Sequence, residues 1–284
     1  MPDTFPNSRI LSNRFSPLNS EFCNMMKSIF RGILGRFYWY DCSDVLSYKG
    51  SWRNGKFHGK GQLKYKNGTV FKGNFSKGTK HGSGCLVSNT GYIYNGDWVS
   101  GRQTGAAEIK YKNGDGYTGQ VLNGLRHGLG KTLISATGET VTCHWDQDTV
   151  DGSKDISIAS KDWYFEGALN GSSLMSGKII YADKSSYVGE MKDFRRAGKG
   201  TLITSSGEQI SGFWTDEFNV QNARRVDPKG VIWKGELRNL KPQGLMHVRL
   251  PSGKKYDGQW DNGYLKRVLS VRNCDGTHAP YIVH

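Results

Sequence analysis

The sequence predicts an all-β protein: an elongated, twisted, single-layer antiparallel sheet of consecutive hairpins, with a short amphipathic helix ahead of it. Three observations lead there. An aromatic or bulky apolar residue, followed two positions on by Gly and two further on by Trp or another apolar residue, recurs along the 284 residues. It is cleanest at Tyr48-Lys49-Gly50-Ser51-Trp52, Phe71-Lys72-Gly73-Asn74-Phe75, Tyr94-Asn95-Gly96-Asp97-Trp98 and Tyr256-Asp257-Gly258-Gln259-Trp260. The first three copies begin 23 residues apart, at 48, 71 and 94, and a fixed period of that length marks a repeat architecture. The rest of the unit keeps register: Gly55, Gly78, Gly101 and Gly124 share one offset, His58-Gly59, His81-Gly82 and His127-Gly128 another, and Gly68, Gly91 and Gly114 close the unit.

Residues 1–20, with Pro2, Pro6, Pro17 and several Ser and Asn, read as a flexible lead-in. Over 21–40, Phe22, Met25, Met26, Ile29, Phe30, Ile33, Leu34, Phe37 and Tyr38 make a helical stripe without a missed position, and Lys27, Arg31 and Arg36 lie off it. Gly32 and Gly35 weaken such a helix by about 1 kcal/mol each relative to Ala, so it needs something to pack on. Four fates are open to Phe22, Met26, Ile29, Phe30, Ile33 and Phe37. They cap the exposed end of the first hairpin, lie in a membrane interface, dock on a partner, or belong to a targeting presequence, which Asp3 and Glu21 disfavour.

The array itself covers 48–266 in about ten repeats, starting at 48, 71, 94, 117, 141, 165, 187, 210, 233 and 256. Residues two apart in a strand share a face, so Tyr48, Gly50 and Trp52 point one way and Lys49 and Ser51 the other. On the return, Gly61, Leu63 and Tyr65 oppose Lys60, Gln62 and Lys64. Tyr48, Trp52, Leu63, Tyr65, Phe71, Phe75, Tyr94, Trp98 and Tyr117 are thereby assigned to a packed face or groove, and Lys49, Lys60, Lys64 and Lys72 to the opposite, solvent face. Gly between two aromatics leaves bare backbone on which a neighbouring strand's ring can lie, so Gly50→Val is expected to harm more than a change at Lys49. Asn54-Gly55, Asn67-Gly68, Asn113-Gly114, Asn123-Gly124 and Asn262-Gly263 are expected to supply the positive φ angles of tight hairpin turns. Later copies are degenerate, above all near 141–186: Cys143 replaces a Gly, the copy over 165–186 is one residue short, and further on Glu217 stands where a turn Gly is expected. Residues 146–162 carry little of the pattern, which leaves room for a bend, an irregular loop or a break into two sub-arrays, and 267–284 form a C-terminal tail.

The unit as a whole, aromatic-x-Gly-x-aromatic, two residues, Gly, two residues, His-Gly-x-Gly-x-Leu and a closing turn Gly, resembles the MORN (membrane occupation and recognition nexus) repeat over roughly three quarters of the chain. The resemblance implies stacked hairpins, each burying the aromatic edge of the last. It also implies a non-enzymatic scaffold for protein–protein interaction, of the class that organises cytoskeletal or membrane-associated structures, cilia and junctions included. A partner segment, a helix for instance, would lie in the aromatic groove. Some proteins with these repeats are enzymes through an attached kinase or methyltransferase domain, and the 18 residues after Lys266 are too few for one.

Charge adds an alternative. The net +14 is concentrated in residues 48–140, where 14 Lys or Arg face four Asp or Glu. A basic face of this kind attracts anionic phospholipid at about 1 kcal/mol per residue near the surface, yet it equally keeps an open sheet soluble. Nucleic acid is disfavoured, since no helix-turn-helix, zinc-finger or RNP-type motif accompanies the charge. Five Cys without a CxxC pair encode neither a disulfide framework nor a zinc site and point to a reducing compartment. No apolar run is long enough to span a bilayer, and the start lacks a secretory core. The expected location is cytoplasmic, at the cytoskeleton, a cilium or the cytosolic face of a membrane. No nucleophile elbow, P-loop, HExxH or kinase signature is present, so no catalytic, cofactor or metal site is expected. His58, His81 and His127 sit on different hairpins, which fits buried or turn-packed imidazoles better than a metal ladder.

Overall fold

The computed structural model describes residues 44–170 and 174–278. The helix expected over 21–40, with Phe22, Met26, Ile29, Phe30, Ile33 and Phe37, lies outside them, as do the lead-in and the last six residues of the tail. Among the described residues there is no α-helix, and 21 strands belong to one antiparallel sheet.

Two compact units divide the chain. The first takes residues 1–130 and 144–151 and the second 131–143 and 152–284. The first ten strands are β1 (Val45–Arg53), β2 (Lys56–Tyr65), β3 (Val70–Ser76), β4 (Thr79–Val87), β5 (Ile93–Val99), β6 (Arg102–Lys110), β7 (Gly116–Leu122), β8 (Leu125–Ile134), β9 (Glu139–Asp146) and β10 (Thr149–Val150). The remainder are β11 (Ile156–Ala159), β12 (Trp163–Asn170), β13 (Leu174–Tyr181), β14 (Ser186–Lys192), β15 (Arg195–Ile203), β16 (Gln209–Trp214), β17 (Val220–Val226), β18 (Ile232–Arg238), β19 (Lys241–Arg249), β20 (Lys255–Asp261) and β21 (Tyr264–Arg272). The faint stretch 146–162 still makes strands, β10 and β11, but they are only two and four residues long.

The hairpins use two kinds of turn. Within a repeat, Asn54 and Gly55 both have positive φ, 49° and 69°, as do Asn123 with Gly124 and Asn262 with Gly263, the two-residue turn that matches strand twist. The expectation fails for Asn67 and Asn113. Between repeats only the glycine is left-handed, Gly68 at 86° and Gly114 at 89°. There the Asn side chain works instead: Asn67 Oδ1 accepts from Thr69 N at 2.9 Å and Asn113 Oδ1 from Asp115 N at 3.1 Å.

The glycines beside the aromatics have a different occupant from the one expected. Gly50 faces Gly61 across β1 and β2, and the ring over both belongs to the repeat's own Tyr48, not to a neighbouring strand. Its hydroxyl then donates to the carbonyl of Ser51 at 3.0 Å. The same tuck recurs with Phe71 over Gly73 and Gly84, Tyr117 over Gly119 and Gly130, and Tyr187 over Gly189 and Gly200. Tyr94, Tyr117 and Tyr187 donate to the carbonyls of Asp97, Gln120 and Glu190, always three residues on.

Most hairpins carry a bulge beyond the paired glycines. Gly59, at φ 60°, sits at the first, where pairing steps from Gly50–Gly61 to Trp52–Phe57. The short copy over 165–186 is the informative exception. Strands β12 and β13 pair one for one, Gly167 with Gly177, so the missing residue is the bulge and the glycine tuck under Phe165 survives.

Candidate interaction face

Register places the four lysines on the outward side of β1, β2 and β3. Lys49 pairs with Gln62 and Gln62 with Lys72, which sets the two lysines in one cross-strand row roughly 10 Å apart. Lys60 pairs with Asn74 and Lys64 with Val70, and all four ammonium-bearing residues are exposed. Lys64 begins a second row, through Val70, Val87 and Ile93 to Lys110, that puts three aliphatic residues between two cations.

The nine aromatic and aliphatic residues assigned to the packed face or groove divide. Leu63, Tyr65, Phe71, Phe75, Tyr94, Trp98 and Tyr117 are buried, Tyr48 is half-buried, and Trp52 is 58 % exposed. Edge-to-face contacts hold the buried set together and cross from copy to copy: Tyr48 meets Phe75 at 5.2 Å and Phe71 meets Trp98 at 5.1 Å. Trp98 Nε1 also donates to the carbonyl of Gly84 in the copy before it, as Trp214 does to Gly200. The imidazoles are less enclosed than expected. His81 is exposed and His58 and His127 are half-buried, because the bulge turns this position to the outer side of the strand.

Sequence reasoning missed a set of cations laid on the indoles. Lys80 Nζ stands 4.7 Å from the centre of the Trp98 ring, 5.2 Å from Tyr65 and 5.4 Å from Phe71. Arg126 Cζ lies 3.6 Å over Trp145, and both its Nε and its backbone N donate to Asp148 Oδ1, at 2.9 and 2.8 Å. Arg196 lies 4.9 Å over Trp214, with its backbone N donating to Glu217 and its guanidinium 3.8 Å from the same carboxylate. Arg225 covers Trp233 and donates to Glu208. Lys80, Arg126 and Arg196 each occupy the ninth position after a repeat's opening aromatic, and each reaches the indole of the next copy. Asp148 and Glu217 stand at the seventh position of those next copies, where regular copies have the turn glycine. The signal was therefore present as paired departures: an acid replaces Gly only where the preceding copy supplies Arg.

Lys80 gives this packing a pH signature. Burial lowers its ammonium from 10.5 to about 8. Below pH 8 folded and unfolded chains are both protonated and the whole penalty of the buried charge is felt. Between about 8 and 10 the unfolded chain still holds a proton that the folded one has lost, so stability rises with pH. Above 10 the sign reverses, because burial pushes Tyr94 and Tyr187 up and the unfolded phenols ionise first. Lys80→Met is expected to flatten the rise in Tm between pH 8 and 10. An unchanged slope in thermal melts would show that Lys80 is not the group responsible.

Four consecutive segments, 48–70, 71–91, 94–116 and 117–133, match the family model of the MORN repeat. Among solved structures, similarity is found to the TCP10 domain of Danio rerio CPAP in complex with a peptide of Danio rerio STIL, at 12% identity over 80% of this chain and 99% of that one, TM-score 0.33. The TCP domain of Drosophila melanogaster SAS-4, in complex with a proline-rich motif of Ana2, is similar at 15% identity over 64% of this chain and 99% of that one, TM-score 0.39. No curated protein matches. The matched segments coincide with the regular hairpins, and the glycine tuck that defines them continues past residue 133 at Phe165 and Tyr187. Residues 48–133 thus match four consecutive MORN repeats.

Proposed function

We propose that the chain is a non-enzymatic scaffold for protein–protein interaction that helps to organise a cytoskeletal or membrane-associated structure in the cytoplasm, a cilium or the cytosolic face of a membrane among them. The carrying observation is the division of labour between the two faces. The rings of the regular repeats are occupied in joining copy to copy, while the outward rows repeat at a fixed spacing and stay open. An array of equivalent, rigidly spaced positions suits the display of several contacts along one partner. Among the described residues of the regular repeats, the ring most open to a partner segment is Trp52, 58 % exposed beside Tyr48 and Phe57.

One observation favours a second reading, recruitment to anionic phospholipid: Lys49, Lys60, Lys64 and Lys72 share one exposed patch. Reversing all four to Glu separates the two. The scaffold reading expects partner capture that persists at moderate salt and survives the reversal. The lipid reading expects sedimentation with phosphoinositide vesicles at low salt that the reversal abolishes. Absence of sedimentation at low salt removes the lipid reading, and capture lost on reversal while sedimentation of the native chain persists removes the scaffold.

A further inference from the structure

On the outward face of β17 to β20 the register collects cations in two adjacent rows. Arg224 pairs with Lys234 and Lys234 with His247; two residues further along β19, Arg249 pairs with Lys255 and Lys255 with Arg272. All six are exposed. We propose that this face binds an acidic peptide segment, a run of consecutive Asp or Glu residues in extended form. The proposal names the partner chemistry of the scaffold and rests on that reading.

Without a ligand these rows work against the sheet. Like charges directly opposite one another repel, yet Arg224 faces Lys234, and Lys255 faces both Arg249 and Arg272. Each of β17 to β20 is paired on both sides, so the charges do not serve to blunt an edge. The single carboxylate in the two rows, Asp257, is already engaged by His247 Nδ1 at 2.6 Å, Ser270 Oγ at 2.7 Å and Arg272 at 3.2 Å. Among the described residues no carboxylate pairs with Arg224, Lys234, Arg249 or Lys255. An anion laid between the rows relieves the repulsion and supplies the missing partners.

Size and surroundings select a peptide as that anion. Three strand spacings make the patch roughly 15 Å across and the two rows lie roughly 7 Å apart, the reach of about five residues of extended chain, whose side chains alternate between the rows. A membrane surface sums charge over a wider area, and residues 141–284 carry 20 Lys or Arg against 17 Asp or Glu, so it gains little here. Single-stranded nucleic acid needs rings on which to stack its bases. Trp233, Tyr256 and Trp260 alternate along β18 and β20 with the outward residues and so belong to the other face.

The test titrates the full chain into fluorescein-labelled hexaglutamate at low salt and follows fluorescence anisotropy. Arg249→Glu with Lys255→Glu is expected to raise Kd on the order of tenfold or more, whereas Lys60→Glu with Lys64→Glu, the same change of charge in the regular repeats, is expected to raise it less than about twofold. No binding by the native chain or equal losses from the two pairs overturns the proposal. So does stronger competition by hexathymidylate or phosphatidylserine vesicles than by unlabelled hexaglutamate at equal charge. Lys255→Glu alone gives an independent reading. It removes both repulsive contacts of Lys255, so Tm is expected to rise by about 2 °C while hexaglutamate binding weakens. A Tm that stays or falls overturns the argument from like charges and the proposal with it. Partner capture that fails while hexaglutamate binding persists removes the scaffold reading alone, and the converse removes the patch alone.

Discussion

Gly73→Val is expected to lower stability by about 3 kcal/mol or more, while Lys72→Val, one residue away, stays within about 0.5 kcal/mol. A Cβ on Gly73 would lie 2.6 Å from Gly84 Cα and 2.8 Å from Ser83 O, both backbone, and 2.7 Å from Phe71 Cζ. None of the three has room to retreat: the backbone atoms belong to the paired strand β4, and the Phe71 ring is fully buried against Phe75 and Trp98. Lys72 points to solvent, where a β-branched side chain is tolerated. Urea unfolding followed by tryptophan fluorescence reads both variants. Equal losses at the two positions would sink the account in which each ring needs its own bare pair of glycines.

Arg126→Met is expected to cost about 3 kcal/mol, although Met retains much of the aliphatic bulk. The loss arises from what is left behind. Asp148 keeps a largely buried carboxylate whose two closest donors, Nε and the Arg126 backbone N, are reduced to the backbone one. Trp145 also loses the guanidinium stacked 3.6 Å over it. Adding Asp148→Asn to Arg126→Met removes the stranded charge, so the double variant is expected to recover at least about 1 kcal/mol relative to the single one. Strict additivity in that cycle would mean that the pair is not coupled and that the stacking on Trp145 accounts for the whole effect.

Both predictions rest on features that were unequally legible in the sequence. The strands, their faces and the turn at Asn54-Gly55 follow from spacing alone, because alternation and paired positive φ angles are local properties. The Tyr48 tuck is half visible in the sequence: the glycines mark a landing for a ring, but which ring depends on strand twist, which spacing does not encode. Asn67 is ambiguous in the sequence because Asn-Gly fits two turn geometries, and the choice is made by its side chain accepting from Thr69 N. The cations on the indoles were illegible for a different reason. Lys80, Arg126 and Arg196 belong to one copy and their rings to the next, and a comparison that aligns copies treats such differences as erosion.

That last feature sets what can be exchanged within this molecule. A cut at the opening aromatic would carry Asp148 or Glu217 away from its arginine, leaving an acid in a dry turn on one side and a guanidinium without a counter-ion on the other. Transplants, duplications and circularly permuted variants should therefore be cut outside the stretch from the ninth residue of one unit to the seventh of the next. Read this way, the heritable module of the array straddles two of its visible periods.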